Sequence, residues 1–436
     1  MLKLRLNFLS ILKNVTVQTF IVSIFVVIIN IVTGIITARS MGATGRGEQA
    51  ALLMLPQLLA YCLTLGLPTS ITFNIKKNPN LSRSLVTFTL IFAFGLGVVA
   101  TLIGILIIPF LFEGYAGRVI VSAQYLMIFS ITYLIGIVLT GILKARDNFK
   151  LFNRWRYIEP IIILMSLLIL YFSNNISPLT AALSYILPSL PMFLIIFIYI
   201  LREYRVSFNN FVDSSKRVTS YGIRSYGIDL VTNLSGKLDQ VLIAAFLNST
   251  AIGLYVISLS LSKMIGIIHN SIVTVLFPRM LTMDKKQMID TTLVITRITL
   301  VAILIIDIIL FFLSPFVIEL LYGPSFKQAD IILKFLIFEV LFSGCAVILS
   351  QPFMSLNKPG AITTLQVLSM IINLLLLWLL VPKYGLLGAG IATLLSSILK
   401  FLTVVICYPV ILKTPLPRFY MNKSDILYLK KIIINR

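Results

Sequence analysis

Uncharged apolar runs long enough to cross a bilayer recur from one end of this chain to the other, Val15 to Ala38 and Ser84 to Phe112 among them. A transmembrane helix needs about 20 mostly apolar residues, and one soluble core cannot hide so many such runs. Composition agrees: 58% of the 436 residues are hydrophobic, 12% are charged and mean hydropathy is +1.02, against roughly 45–50% apolar in soluble domains. The runs fall at 15–38, 48–74, 84–112, 118–143, 156–173, 177–201, 217–247, 250–281, 291–321, 328–354, 360–382 and 386–412. Twelve spans make this an all-α, polytopic membrane protein. Its longer connections are only Lys144–Arg156, Arg202–Lys216 and the tail from Lys413. None can hold a catalytic domain, so function is expected inside the membrane and no enzyme is expected.

The net charge of +21 suits nucleic acid only if the basic residues form one patch. They alternate by loop instead. With the N-terminus inside, 25 of the 36 lysines and arginines lie on its side of the membrane and 5 (Arg39, Arg46, Arg118, Lys327 and Lys383) on the other. The positive-inside rule then places both termini in the cytoplasm and excludes a nucleic-acid partner. The first span runs on as a full-length helix without a cleavage site, so it reads as a signal anchor. The tail Asn422–Arg436 interleaves isoleucines and leucines with lysines, as either a short helix on an anionic leaflet or a disordered end would. Cys62, Cys345 and Cys407 lie far apart in apolar runs, which fits neither a disulfide framework nor a metal site.

Three short segments recur in order at nearly one offset. Gly42–Gly47 corresponds to Asn248–Gly253 at 206 residues, Pro109–Gly114 to Ile318–Gly323 at 209, and Ala145–Asn148 to Ser355–Lys358 at 210. The pattern predicts two parallel six-helix lobes, 1–201 and 217–412, joined by a cytoplasmic linker at 202–216 and followed by a basic tail at 413–436. Parallel lobes leave a central cleft that can open to either face.

Polar residues in the spans mark faces turned away from lipid. Thr16, Thr19, Ser23, Asn30, Thr33 and Thr37 share one side of the first helix, where cavity lining and ordinary helix contact are equal alternatives. In the seventh span Asp229, Asn233, Lys237 and Gln240 follow i, i+4, i+8, i+11, with Asp239 and Arg224 on flanking faces. Ionic groups cost roughly 2.5–3.5 kcal/mol each at mid-membrane, so this stripe must meet water, counter-charge or substrate. An ion-pair network that only holds helices together is the competing reading. Lys263 and Asn270 align on the eighth span, whereas His269 points elsewhere and reads as a helix-contact residue. A cationic cleft of Arg39, Arg46, Arg224, Lys237 and Lys263, lined by Asn30, Asp229, Asn233, Asp239, Gln240 and Asn270, suits an anionic passenger such as a diphosphate. Asp307 and Glu339 are candidates for binding H⁺ or Na⁺, with Lys334 a possible neutraliser of Glu339. No cofactor and no metal is expected, and the glycines of Gly42–Gly47 lack the strand and the Lys-Ser/Thr of a nucleotide loop.

Several loose motifs occur in a fairly specific order: Ala38-Arg39-Ser40-Met41-Gly42 with Gly45-Arg46-Gly47, Lys237-Leu238-Asp239-Gln240, Gly253-Leu254-Tyr255, Leu276-Phe277-Pro278-Arg279-Met280, Asn357-Lys358-Pro359-Gly360 and Tyr384-Gly385-Leu386-Leu387-Gly388-Ala389-Gly390. Together they make the chain resemble, over about 15–412, the polysaccharide-transport branch of the multidrug/oligosaccharidyl-lipid/polysaccharide exporter superfamily. The resemblance implies a Wzx-type flippase of the bacterial plasma membrane. Its substrate would be an undecaprenyl-diphosphate-linked oligosaccharide for O-antigen, capsule, exopolysaccharide or teichuronic-type assembly, and its partners membrane lipids, a polysaccharide polymerase and chain-length proteins. Two alternatives come with it. MurJ-type lipid II flippases usually carry fourteen spans against twelve here. A drug/cation antiporter wants a net acidic pocket, which these charges disfavour.

Overall fold

Backbone that crosses hydrocarbon must satisfy its own N–H and C=O groups, which leaves helices or closed barrels. In the computed structural model, which describes residues 15–280, 283–356 and 359–420, every regular element is a helix. They are α1 (Val15–Cys62), α2 (Leu67–Lys77), α3 (Ser82–Leu111), α4 (Gly117–Leu126), α5 (Phe129–Ala145), α6 (Phe149–Phe172), α7 (Pro178–Ile186), α8 (Leu190–Tyr204), α9 (Phe211–Phe246), α10 (Ser249–Met280), α11 (Lys285–Tyr322), α12 (Ala329–Leu349), α13 (Gln351–Ser355) and α14 (Pro359–Cys407). The leaflet helix expected at 422–436 lies outside the described residues.

Each expected span falls on a helix, but not one to one. Among the described residues eight helices are long and apolar enough to cross a membrane, or nine if α4 and α5, bent by 42°, form one span. Two of the eight, α1 and α14, run through one expected span and on into the next. They break at Gly42 (φ 66°, ψ −174°) and Gly385 (φ 58°, ψ −136°), backbone conformations essentially reserved for glycine. Helix α9, which carries Arg224, Asp229, Lys237 and Asp239, is not among the eight. The second expected span, 48–74, is interrupted by a turn at residues 63–66 before α2 begins.

The chain forms two compact units, Met1–Ile257 with Leu321–Phe326, and Ser258–Leu320 with Lys327–Arg436. The linker expected at 202–216 lies inside the first. There it is tied down by Ser207 N donating to Thr87 Oγ1 (3.0 Å) and by Ser84 Oγ against Ser214 Oγ (2.8 Å). The core of that unit gathers Leu67, Ile71, Leu85, Leu134, Val138, Ile142, Ile196 and Val218 from α2, α3, α5, α8 and α9. Large apolar side chains such as Phe110, Phe172, Phe312 and Trp378 are exposed, while Thr37, Gln49, Thr89, Thr296 and Asp307 are wholly buried. Apolar groups facing out and polar groups facing in suit a lipid surround.

Within the first unit the two segments related by 206 residues meet each other. Thr44 Oγ1 lies 2.9 Å from Thr250 Oγ1. A Cβ on Gly47 would land on the Ser249 carbonyl oxygen, and one on Gly253 would land on that of Ala43. Residue 43 is to 249 as 47 is to 253, so the contact is reciprocal, as across a local two-fold axis.

In the second unit the buried His269 ring of α10 occupies the space that a Cβ on Gly344 of α12 would need. His269 is thus a helix-contact residue. Gly344→Ala is expected to cost about 1–3 kcal/mol through overpacking, read as a lowered thermal midpoint. An unchanged midpoint would mean that the approach of the two helices is slack.

Candidate functional site

Helical spacing carries a set of polar and aromatic residues to one place in the first unit. Gln57 and Tyr61, at i and i+4, share a face of the second half of α1, and Thr64 follows in the turn after it. Tyr133, Thr140 and Lys144 follow i, i+7, i+11 on α5, and Phe152, Trp155, Arg156 and Glu159 follow i, i+3, i+4, i+7 on α6, so each set shares a helix face. With Phe193 of α8 they line a cavity of 540 Å³, within the roughly 300–1,000 Å³ usual for small-molecule sites.

The charges sit at one end. Lys144 Nζ lies 5.3 Å and Arg156 Cζ 5.6 Å from the centre of the Phe152 ring, a cation–π arrangement that fixes both heads. A second pocket of 640 Å³ shares Pro68, Thr69, Thr140 and Lys144 with the cavity and adds Lys76 and Lys77. Lys76 pairs with Asp147 at 2.9 Å, and Lys77 lies over Phe73, itself stacked on Tyr221 at 4.1 Å. Lys144 and Arg156 thus border the cavity and Lys76 and Lys77 the neighbouring pocket, with Lys144 common to both.

About 16 Å further along the α5 axis, at 1.5 Å per residue, the lining is mostly aromatic and amide-bearing. Lys237 of α9 donates to Gln57 Oε1 and lies 5.7 Å from the Tyr61 ring centre. Gln57 Nε2 in turn donates to the Tyr133 hydroxyl at 3.3 Å. This chain of contacts ties α9, α1 and α5 together. Glu159 is the one carboxylate in the lining. Flat rings beside amide and hydroxyl groups can stack on the C–H faces of sugars and bond their hydroxyls, while the cations suit phosphate.

Of the residues expected to line a cationic cleft, Lys237 is bonded to this cavity's wall. Asp239, buried, accepts from the Tyr255 hydroxyl at 3.3 Å. Gln240 is half-buried, while Arg224 and Asn30 are exposed and outside the cavity lining. Thr33 and Thr37 are buried and bonded to carbonyls of their own helix. Arg39 donates from Nε to the Leu321 carbonyl (2.9 Å), and the buried Arg46 donates to Gln49 Oε1 (2.6 Å). The side chains of Asp229 and Asn233 lie outside the described residues. Lys263 and Asn270 belong to the second unit, where both are exposed.

The two lone acids also lie in the second unit. Asp307 is wholly buried on α11, and neither carboxylate oxygen has a hydrogen-bond partner among the described residues. Glu339 is half-buried and interacts electrostatically with Lys400. Lys334, expected to neutralise Glu339, pairs instead with Asp330 at 2.8 Å, one helical turn away, and Asp330 also accepts from Ser314.

Sequence reasoning counted Lys144 and Arg156 only as markers of orientation and passed over Tyr61, Tyr133 and Trp155. The signal that finds them is the shared helix face, not the charge count.

The chain is similar to the probable low-salt glycan biosynthesis flippase Agl15 of Haloferax volcanii, 25% identical over 165 residues, which cover 36% of this chain and 34% of that protein. It is 24% identical over 272 residues to the capsular polysaccharide biosynthesis protein CapF of Staphylococcus aureus, covering 60% of this chain and 68% of that one. The chain thus spans about a third of the length of the Haloferax protein. The solved structure of the lipid II flippase MurJ in an inward closed conformation superposes with a TM-score of 0.76 at 16% identity, over 96% of this chain and 91% of that one. This likeness establishes a shared fold. With residues 11–284 matching the family described as polysaccharide biosynthesis protein, this multi-pass membrane chain belongs to that family.

Proposed function

We propose that the chain is a flippase that moves an undecaprenyl-diphosphate-linked oligosaccharide from the cytoplasmic to the outer leaflet of the plasma membrane. The observation that carries this reading is the cavity of the first unit, with its cationic mouth and its aromatic, amide-bearing interior. The diphosphate pairs with Lys144 and Arg156, which lie on the cytoplasmic side if the charge bias sets orientation. The sugars enter between Tyr61, Tyr133 and Trp155. The lipid tail stays in the bilayer, because taking the head group through hydrocarbon costs far more than leaving one polar group unpaired.

Transport runs by alternating access. The sequence has no nucleotide-binding loop, so the drive is an ion gradient or removal of product outside. Asp307, buried without a hydrogen-bond partner among the described residues, is the candidate to bind H⁺ or Na⁺. Lipid II carries the same diphosphate on the same class of tail and is the second reading, supported by the fold shared with MurJ.

Deleting the gene and probing the sidedness of undecaprenyl-linked intermediates in spheroplasts tests the reading. Repeat units made but held inside are expected, with lipid II distributed normally. Repeat units outside at wild-type level, with no second flippase present, would sink the assignment, and trapped lipid II would transfer it to the peptidoglycan precursor. In the same assay Asp307→Asn is expected to remove sensitivity to a collapsed gradient. Retained sensitivity would remove Asp307 from the coupling step alone.

A further inference from the structure

The second unit carries a basic groove that the flippase reading does not use. After α14 the chain passes through a π-turn, Tyr408–Leu412, and reverses at Lys413, whose φ is 55°. Residues 414–420 then run beside the first turns of α11. Three contacts hold this strap: Lys285 Nζ donates to the Leu412 carbonyl (2.7 Å), Arg297 Nη1 donates to that of Arg418 (3.2 Å), and Phe419 packs on Phe401 with ring centres 5.2 Å apart. Between strap and helix lies a groove of 520 Å³.

Its chemistry is mixed in a definite way. Lys286, Ile289, Leu293 and Arg297 follow i, i+3, i+7, i+11 and share a face of α11. The strap adds Leu416 and Arg418, so the lining holds four cations counting Lys285, against the one acid Asp290. Arg418 spends one of its five N–H donors on the Tyr420 hydroxyl at 3.1 Å. A small soluble anion has no use for the wall of Ile289, Leu293 and Leu416, and a purely apolar ligand would desolvate the cations without supplying a counter-charge. A phosphate joined to hydrocarbon satisfies both. The groove also sits where the chain enters the membrane, since the ninth expected span begins at 291 and Lys285, Lys286, Lys413 and Arg418 all fall on the basic, cytoplasmic side.

We propose that this groove binds an anionic phospholipid of the cytoplasmic leaflet. Its phosphate lies among Lys286, Arg297 and Arg418 and its acyl chains lie along Ile289, Leu293 and Leu416, clamping the strap to α11. The site is independent of the transported lipid, so its test is binding rather than transport.

The full chain, purified in detergent, is titrated with phosphatidylglycerol, phosphatidylcholine, undecaprenyl phosphate and inorganic phosphate, with bound species counted by native mass spectrometry. Phosphatidylglycerol is expected to be retained over phosphatidylcholine. Lys286→Gln combined with Arg418→Gln should weaken it about thirty-fold, the effect of two basic charges at a membrane surface. Lys286→Arg combined with Arg418→Lys keeps the charge and should keep the binding. Equal retention of phosphatidylcholine, or loss of phosphatidylglycerol from the charge-keeping variant too, would overturn the proposal. So would displacement by equimolar inorganic phosphate, which would mark an anion site, or a preference for undecaprenyl phosphate, which would assign the groove to the transported lipid.

Discussion

Gly47→Val and Gly253→Val are each expected to lower flipping at least ten-fold and to lower the thermal midpoint. Either side chain would be built onto a carbonyl oxygen of the facing segment, Ser249 or Ala43, and backbone cannot swing aside as the end of a side chain can. Overpacking alone costs about 1–3 kcal/mol in side-chain cores, and a clash with backbone lies at or above the upper end of that range. Both substitutions break one reciprocal contact, so their effects should not add. The double variant is expected to behave like the worse single one. Gly95→Ala, where a Cβ meets nothing within 4 Å, is the control and should match the wild type. Additive losses from Gly47→Val and Gly253→Val would show two separate sites of damage and remove the two-fold reading of the contact.

The second large effect is expected at the mouth of the cavity. Lys144→Gln and Arg156→Gln should each reduce flipping about ten-fold or more while protein abundance stays near normal. A hydrogen bond to a charged group contributes about 1.5–3 kcal/mol, which is ten-fold or more in a binding constant. Each head lies over the Phe152 ring at the mouth of the cavity, and a neutral glutamine there keeps neither the cation–π contact nor the charge offered to a phosphate. Lys76→Gln, by contrast, removes an exposed pair with Asp147, and such pairs contribute roughly 0–1 kcal/mol. It should change flipping little. If all three variants behave alike, the mouth acts as a diffuse positive field and not as a site.

Much of the architecture is legible in the residues themselves. Apolar runs of membrane-crossing length fall on helices throughout because hydrocarbon permits little else. The 206-residue offset read from Gly47 and Gly253 reappears as a physical contact between those glycines' own segments. What the runs do not announce is where a span bends. The turn at residues 63–66 and the 42° break between α4 and α5 interrupt stretches whose hydropathy stays high, since hydropathy responds to burial in lipid and not to backbone direction.

The residues of the candidate site are harder to read for a related reason. A lysine or arginine at the end of a span is what membrane insertion selects for, so Lys144 and Arg156 look ordinary until α5 and α6 are seen to turn them toward the same space as Tyr133 and Trp155. Charges inside spans draw attention because they are costly, yet Arg224 is exposed and Lys334 is paired with Asp330. Lys237 belongs to both readings: it stood out as an intramembrane charge, and it is bonded to Gln57 in the cavity wall.

Reconstitution tests the central claim most directly. The purified chain is placed in liposomes containing an undecaprenyl-diphosphate-linked oligosaccharide, and an impermeant sugar-modifying enzyme is added outside. Wild-type protein is expected to make nearly all of the lipid-linked sugar accessible, whereas protein-free liposomes and the Lys144→Gln, Arg156→Gln double variant should stop near the half already exposed in the outer leaflet. Accessibility that stops at that same half with the wild-type protein, under every imposed proton or sodium gradient, would contradict the account.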